Sequence, residues 1–269
     1  MIVAVFEFNK MHGLENHFAI FDVTQDPFQP TLEQIQRWCS VNTGIGAEQI
    51  VTVSAIQSES ADYVMTIYNP DGQIAEACGN ATRCVAKLLM DTHQLSELRL
   101  QIGQRIIACV AVGELIKVDM GPISFAWQDV PLRSPVACFH PDYETYAVNV
   151  GNPHVVVCVD NMTQSDMVSI GQEIQQHPAL INSANVGFME IVGSDRIKLQ
   201  VYERPGVLTR ACGSGSCAAA AVARKQGLID DAPTTVMMPG GELIIDISEA
   251  NHVTMTGSAT YCYQGIIKE

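Results

Sequence analysis

Apolar side chains recur at every second position in two segments half a chain apart, which is the period of a β-strand. They are Tyr63, Met65 and Ile67 in the first segment and Ile197, Leu199 and Val201 in the second. A Pro/Gly turn follows each segment, then Ala-Cys-Gly, then an alanine-rich run of good helix formers. Each half of the chain therefore predicts a strand, a turn and a helix, with a cysteine where the loop enters the helix.

The same patterns elsewhere predict three further strands and an amphipathic helix. The strands are the apolar stretches IVAVFEF near the start, IVTVSAI from Ile50 and ELIIDIS from Glu242. The helix is TLEQIQRWCS, residues 31–40. Gly227 is predicted to end the second alanine-rich helix, because glycine is typical just after a helix.

The two segments form a repeat without gaps. MTIYNPDGQIAEACGN (65–80) and LQVYERPGVLTRACGS (199–214) lie at a constant offset of 134 positions (212 − 78). The identical pairs are Tyr68/Tyr202, Gly72/Gly206, Ala77/Ala211, Cys78/Cys212 and Gly79/Gly213. A weaker echo, which needs small insertions, sets Asn16-His17 against Asn152-Pro153-His154.

The repeat predicts an α+β fold of two pseudo-symmetric halves, each a curved, mostly antiparallel sheet around a central helix. The expected division is 1–117, to which a last strand at about 260–269 returns, and 118–259. The active site is expected in a cleft between the halves.

Composition excludes several classes of function. The chain has 269 residues, of which 47% are hydrophobic, so it can bury a substantial core. A formal net charge of -14 repels phosphate backbones and anionic membranes, so we expect neither nucleic acid nor membrane as a partner. There is no basic segment ahead of an apolar run at the start, and no stretch approaches the roughly 20 apolar residues of a membrane helix. We therefore expect a cytoplasmic protein.

The nine cysteines are an odd number in a long chain, so reduced thiols are expected rather than a disulfide framework. The sequence contains no Cys-x-x-Cys, His-Glu-x-x-His, P-loop or Gly-x-Gly-x-x-Gly motif, and therefore predicts no metal and no nucleotide. A zinc site built from Cys78, Cys84, Cys212 and Cys217 is conceivable, but its spacings are unusual.

Cys78 and Cys212 suit the inversion of a carbon that carries hydrogen, amine and carboxylate. That reaction removes a proton from one face and returns one to the other, so it needs two acid/base groups, one a thiolate and one a thiol. A helix N-terminus is expected to lower the pKa of each thiol from about 8.5. The amides of Gly79, Asn80, Gly213 and Ser214 would there bind a substrate carboxylate.

A structural interpretation competes with this one. Buried cysteine commonly acts as a small hydrophobe. A core or incidental role is expected of Cys39, Cys84, Cys109, Cys138, Cys158, Cys217 and Cys262. Pattern alone leaves open whether Cys78 and Cys212 are a catalytic pair or a duplicated structural turn.

From Phe8 to about Gly257 the chain resembles the diaminopimelate epimerases. The resemblance lies in NKMHGLENHF, TGIGAEQ, IYNPDGQIAEACGNATRC, GNPHVVVCVD, NVGF, VYERPGVLTRACGSGSCAAA and MPGGELIID. It implies two pseudo-symmetric halves, a homodimer, and catalysis without pyridoxal phosphate or metal. The expected reaction converts LL-2,6-diaminopimelate to the meso form, for lysine and peptidoglycan synthesis.

The resemblance also implies roles for individual residues. Cys78 and Cys212 are the acid and base, and Gly79, Asn80, Gly213 and Ser214 bind the α-carboxylate. Asn16 and Gln49 lie beside the reacting centre. The distal amino-carboxylate end is bound by Asn69, Asn152, Asn185 and Arg204. Glu203 receives the α-ammonium group, with His154 in the same surroundings.

Two motifs depart from the family pattern. GLENHF replaces GLGNDF, which introduces Glu15 and His17, and ERPGVLT replaces ERGAGET, which introduces Pro205, Val207 and Leu208. These changes leave open a related two-thiol racemase of another amino acid. A non-catalytic relative is the third alternative, although such a protein has no need of both cysteines.

Overall fold

The fold consists mostly of strands, with four α-helices among residues 4–75, 78–136 and 138–269, which the structure, a computed structural model, describes. The first elements are β1 (Val5–Gly13), β2 (Asn16–Asp22), α1 (Leu32–Cys39), β3 (Gln49–Ala55), β4 (Tyr63–Tyr68), α2 (Gly79–His93), β5 (Glu97–Ile102), β6 (Arg105–Val112) and β7 (Leu115–Pro122). They are followed by β8 (Thr145–Asn149), β9 (Pro153–Cys158), α3 (Gln164–Gln175), β10 (Asn185–Gly193), β11 (Arg196–Glu203), β12 (Val207–Thr209), α4 (Gly213–Lys225), β13 (Thr234–Met238), β14 (Gly241–Ile247), β15 (His252–Gly257) and β16 (Thr260–Lys268). Ile2 and Val3 of the first predicted strand, and Ala77 of the repeat, lie outside the described residues.

The chain forms two compact units. The first contains the residues up to Val118 together with Gly257–Glu269, and the second is Asp119–Thr256. Since β16 pairs antiparallel with β1, the end of the chain lies in the first unit.

The sheets of the two units share one topology. In the first unit the order is β16-β1-β2-β3-β4-β5-β6-β7, and in the second it is β8-β9-β10-β11-β13-β14-β15 with β12 beside β11. From β1 to β6 the pairings alternate between antiparallel and parallel. From β8 to β14 they alternate in the same way. The prediction of two similar α+β halves is confirmed.

Residue pairing reproduces the repeat. Tyr68 pairs with Ile74 in an isolated bridge. The two residues 134 positions later, Tyr202 and Leu208, are also paired. The predicted strands at β3, β4, β11 and β14 are present, and so is the amphipathic helix α1.

The weaker echo holds for Asn16 and Asn152 but was aligned wrongly at the histidines. Phe18 lies opposite Gln49, and His154 lies opposite Asn185, so His154 corresponds to Phe18 and not to His17. The offset here is 136 (154 − 18). It differs from 134 because the hairpin from Ile50 to its partner Tyr68 is two residues longer than the equivalent hairpin from Val186 to its partner Tyr202.

The two alanine-rich helices begin at the same position of the repeat, Gly79 and Gly213. In α4 the residues Gly215–Ala223 are all buried, because small side chains let strands pack around the helix on several sides. Gly227 follows the end of α4 with a φ of 68°, so the predicted helix stop is confirmed.

Candidate active site

Cys78 and Cys212 have the same local structure at the starts of α2 and α4. Both are N-cap residues in extended conformation, with φ and ψ of -149° and 102° at Cys78 and -137° and 106° at Cys212. Thr82 and Ser216 donate from their hydroxyls to the cap carbonyls, each at 2.9 Å. The two loop-to-helix junctions therefore share their backbone conformation and their hydroxyl bond to the cap carbonyl, as the repeat predicts, although a side-chain cap hydrogen bond is present only at Cys212.

The first backbone amides of each helix are oriented toward its cap. The first helical hydrogen bonds run from the amides of Thr82 and Ser216 to the cap carbonyls. The amides of Gly79, Asn80, Gly213 and Ser214 precede these bonds, so they have no acceptor within the helix. Such amides favour an anion. The amides predicted to bind the substrate carboxylate therefore lie beside the cysteine in each unit.

Cys78 is half-buried and lies beside Asn16, the first residue of β2. The Cys78 Sγ is 3.7 Å from Asn16 Oδ1, and this same oxygen accepts a hydrogen bond from Asn80 Nδ2 at 3.3 Å. Asn16 Nδ2 also donates to the carboxylate of Glu48. The structure therefore brings together three predicted residues and adds Glu48, which the sequence interpretation missed.

A buried arginine fixes Asn80. Arg83 is fully buried, donates from Nη2 to Asn80 Oδ1 at 2.8 Å and from Nε to the carbonyl of Ser258 at 3.1 Å. A buried cation needs such partners. The sequence does not single out Arg83, because the same helical run also contains the basic Lys87.

Two more predicted residues of the first unit meet where β3 begins and β4 ends. Gln49 Nε2 donates to Asn69 Oδ1 at 2.7 Å, and both side chains are half-buried. Their remaining amide groups offer both donors and acceptors.

Cys212 is more deeply buried than Cys78, with 5% of its surface exposed. Its Sγ accepts the N–H of Gly215 at 3.4 Å and lies 3.7 Å from Ser214 Oγ. The Cys212 amide lies 3.3 Å from Met238 Sδ. Gly215 and Met238 were not predicted as site residues, although Met238 begins the MPGGELIID stretch.

The prediction that the helix N-terminus lowers the pKa of the thiol is wrong for Cys212. Burial raises its pKa well above the ordinary value, and the nearby Glu203 carboxylate raises it further, both by its charge and by a hydrogen bond with the thiol. The Gly215 amide and the Ser214 hydroxyl act in the opposite direction but more weakly. Cys212 is therefore held as a neutral thiol.

His154 connects two of the predicted residues. Its Nε2 lies 3.0 Å from both Asn152 Oδ1 and Ser214 Oγ. The side chain is fully buried, and burial together with the charge of Arg204 lowers the pKa of His154 to about 3. A neutral ring with its proton on Nε2 satisfies the amide oxygen of Asn152.

The end of β11 carries the remaining predicted residues. Asn185 Oδ1 accepts the Arg204 backbone N–H at 3.0 Å, and Arg204 Nη1 donates to the carbonyl of Asn182 at 3.1 Å. Glu203 Oε1 accepts the Thr209 hydroxyl at 2.6 Å. The Arg204 side chain is exposed, and Thr209 was not predicted to take part.

The remaining cysteines are found both in the core and at the surface. Cys84, Cys109 and Cys217 are buried, whereas Cys138 and Cys262 are exposed. Among the residues that the structure describes, no three His, Cys, Asp or Glu side chains are grouped to hold a metal ion, which gives the zinc alternative no support.

The sequence is similar to known epimerases over almost its whole length. The profile of the diaminopimelate epimerase family matches residues 8–126 and 146–262. The diaminopimelate epimerase of Phenylobacterium zucineum is 38% identical over 269 residues, 96% of each chain. That of Rhodospirillum centenum is 34% identical over 97% of this chain and 92% of its own.

Solved structures share the fold at much lower identity. A hydroxyproline epimerase from Agrobacterium vitis matches with a TM-score of 0.72 and 14% identity, over 98% of this chain and 92% of its own. A phenazine biosynthesis protein from Bacillus anthracis matches with a TM-score of 0.70 and 15% identity, over 98% and 99%.

Proposed function

Since the chain belongs to the diaminopimelate epimerase family, we propose that it converts LL-2,6-diaminopimelate to the meso form with Cys78 and Cys212 as the two acid/base groups. It is thus an isomerase that serves lysine and peptidoglycan synthesis. The observation that carries the mechanism is the equivalence of the two cysteines, each an N-cap residue at the same position of the repeat.

The two thiols divide the proton transfers between them. One thiolate removes the α-proton, and the opposite thiol delivers a proton to the other face. Because burial and Glu203 raise the pKa of Cys212, we assign Cys212 as the protonated partner in the free enzyme. Cys78 is then the group that first accepts a proton from substrate.

The carbanion needs its charge stabilised. The amides of Gly79, Asn80, Gly213 and Ser214, at two helix N-termini, would bind the α-carboxylate and stabilise the enolate-like charge that develops on it. The Glu203 carboxylate, which already faces the Cys212 thiol, would receive the α-ammonium group. Thr209 orients that carboxylate by donating to it.

The second amino-carboxylate end of the substrate distinguishes diaminopimelate from ordinary amino acids. Arg204 offers a planar donor fork for the distal carboxylate. Asn69, Asn152 and Asn185 supply amide donors and acceptors, with Gln49 and His154 holding two of them in place.

The decisive experiment incubates the protein with LL-diaminopimelate in deuterated water and follows deuterium entry at the α-carbon. Other amino acids, including proline and histidine, are incubated in parallel. We expect label in diaminopimelate alone. Label only in another amino acid would indicate a different racemase, and label in none would indicate a non-catalytic relative.

The cysteine assignment is tested separately. Cys78→Ala and Cys212→Ala should each abolish epimerisation, because each removes one of the two proton carriers. Cys138→Ser is the matched control, since Cys138 is an exposed cysteine outside both copies of the repeat. Full turnover by either alanine variant contradicts the two-base scheme.

The mechanism uses only groups of the chain, so we propose that turnover needs no metal and no pyridoxal phosphate. Activity should survive prolonged dialysis against EDTA and against hydroxylamine. A loss of activity that added metal or pyridoxal phosphate restores would contradict the proposal.

None of the helices in the described part of the chain has both the length and the apolar character needed to span a bilayer. We also propose that the enzyme is cytoplasmic and acts on a small-molecule substrate.

We propose a homodimer that uses β16. This strand lies at the edge of the sheet of the first unit and exposes Tyr261, Tyr263 and Ile266 by 45%, 47% and 57%. An exposed apolar edge strand readily pairs with another chain, here a second copy. Ile266→Lys should shift sedimentation toward monomer, whereas Val41→Lys, at a loop residue 81% exposed, should not.

A further inference from the structure

The β1–β2 turn ahead of Asn16 has a conformation that its residues rarely adopt. Leu14 and Glu15 have φ angles of 54° and 66°. The flanking pairs, His12 with His17 and Gly13 with Asn16, stay in register. A two-residue loop with both residues at positive φ is a type I′ turn, which normally contains asparagine, aspartate or glycine. Leucine and glutamate do not favour it, so the turn needs a contact that holds it.

His12 supplies that contact. The backbone N–H of Glu15 donates to His12 Nδ1 at 3.2 Å, so Nδ1 is the unprotonated ring nitrogen. The rings of His12 and His17 lie beside each other across the hairpin, with centroids 5.6 Å apart and planes tilted by 55°. Burial and the charge of His17 lower the pKa of His12, and Glu15 opposes this, so the neutral acceptor persists at neutral pH.

The turn leads directly into the candidate site. Asn16 follows Glu15, and its Oδ1 lies 3.7 Å from the Cys78 sulfur and accepts from Asn80. A turn that relaxed at Glu15 would move Asn16 away from Cys78.

We propose that His12 is a positioning residue: by accepting the Glu15 N–H it holds the β1–β2 turn and so keeps Asn16 beside Cys78. Its kinetic consequence rests on the proposed function, but the coupling between His12 and the turn does not. The charged and titratable groups around the hairpin are Lys10, Glu15, His17, Glu48, Cys78 and Arg83. The strand β16 places the neutral Thr260 opposite His12.

Two substitutions at one position test the hydrogen bond. Asparagine in His12→Asn places an acceptor near the position of Nδ1 and does not titrate, whereas His12→Leu has no acceptor. We expect His12→Leu to lower kcat for diaminopimelate by about 10- to 100-fold, the effect of misplacing a group at the reacting centre. His12→Asn should stay near the wild-type rate at neutral pH.

Removing the steric strain of the turn at Glu15 should rescue the kcat of His12→Leu. Glycine adopts positive φ without steric cost, so adding Glu15→Gly to His12→Leu should restore most of the rate, and Glu15→Gly alone should change little. In the wild type, protonation of His12, which stops it accepting, should deepen the acid-side fall in kcat that protonation of the base thiolate causes. His12→Asn should lose only the His12 part and keep the fall due to the thiolate. Equal damage by leucine and asparagine, or no rescue by glycine, overturns the proposal.

Nuclear magnetic resonance separates this inference from the proposed function. In the wild-type protein without substrate, the Glu15 amide resonance should shift with the same midpoint as the His12 ring. If it does and diaminopimelate is not turned over, the proposed function fails and the positioning of the turn stands. If the enzyme is active and the amide does not follow His12, the inference fails.

Discussion

His154 is a single residue whose surroundings make stability depend on pH. Its pKa is about 3 in the folded protein, against 6.5 in the unfolded chain, because the buried ring cannot gain charge. The unfolded state therefore binds more protons below pH 6.5, so this contribution to stability is complete above pH 6.5 and is lost as the pH falls toward 3.

This predicts that the free energy of unfolding falls by about 2 kcal/mol between pH 7 and 5 on account of His154 alone. His154→Gln keeps an amide donor near the position of Nε2 but does not titrate, so it should lose that part of the fall. Urea unfolding of both proteins at the two pH values measures the difference. Equal pH dependence in the two proteins would show that His154 titrates normally.

Arg204 is a second residue with a testable role. If its guanidinium binds the distal carboxylate, Arg204→Ala should lower kcat/KM for diaminopimelate by about 10- to 100-fold, the loss of one charged hydrogen bond pair. Exchange of the α-hydrogen in a monocarboxylate amino acid, if measurable, should change far less.

Arg210→Ala is the matched control, since Arg210 is an exposed arginine six positions later whose Nη2 donates to the carbonyl of Pro239. Steady-state kinetics with the three proteins decides the matter. Equal losses for both substrates, or for both variants, contradict the distal assignment.

Sequence reasoning at this scale found residues that repeat or match a motif and missed those that support them. Cys78 and Cys212 stood out because they occupy one position of a gap-free repeat. Glu48, Arg83 and Thr209 did not. Glu48 and Thr209 act through contacts between elements, and Arg83 contacts its own helix but is buried by tertiary packing, which no local pattern encodes. The thiol pKa of Cys212 was misjudged for the same reason: burial depends on tertiary packing.

The start of α4 shows how an element positions a side chain. Gly215 corresponds to Ala81 in α2 (215 − 134), yet it must be glycine in the second unit. A Cβ at Gly215 would lie 2.8 Å from Val201 Cγ2 and 3.2 Å from the Cys212 sulfur. The helix and β11 therefore approach too closely for any side chain there.

We predict that Gly215→Ala displaces the Cys212 sulfur and lowers kcat by about 10- to 100-fold. The reciprocal change, Ala81→Gly, opens space in place of a clash and should mainly cost helix stability, about 1 kcal/mol. Kinetics and thermal unfolding of both variants distinguish the two effects. Normal kcat in Gly215→Ala would mean that the helix start can shift without moving the thiol.

Among the elements, the sequence predicted several with a simple period but missed others that also have one, such as β5, where Leu98, Leu100 and Ile102 alternate with more exposed residues. The strands β3, β4, β11 and β14 alternate, and α1 carries a capping box at Thr31 and Gln34. The helix α3 was missed although Met167, Ile170 and Ile174 have helical spacing, because polar residues dilute its apolar face. The echo at the start of β9 was also misaligned by one residue, because it was matched on the histidines and the strand pairing that fixes the alignment is not visible in the sequence.

At the scale of the whole molecule, the duplication itself makes a prediction about isotope distribution. If each unit contributes one proton carrier, the thiol that protonates the carbanion is not the group that removed the α-proton. Its proton comes from solvent, since thiol protons exchange with water. Each turnover in deuterated water should therefore place one deuterium in the product isomer and none in the recovered starting isomer.

The measurement starts from LL-diaminopimelate in deuterated water and is stopped early, before the reverse reaction matters. The stereoisomers are separated and each is analysed by mass spectrometry. A single group serving both faces would return a solvent-derived proton to either side, and so would label both isomers at comparable rates. Labelled starting material at early times would thus contradict the assignment of one proton carrier to each unit, even if both cysteines proved essential.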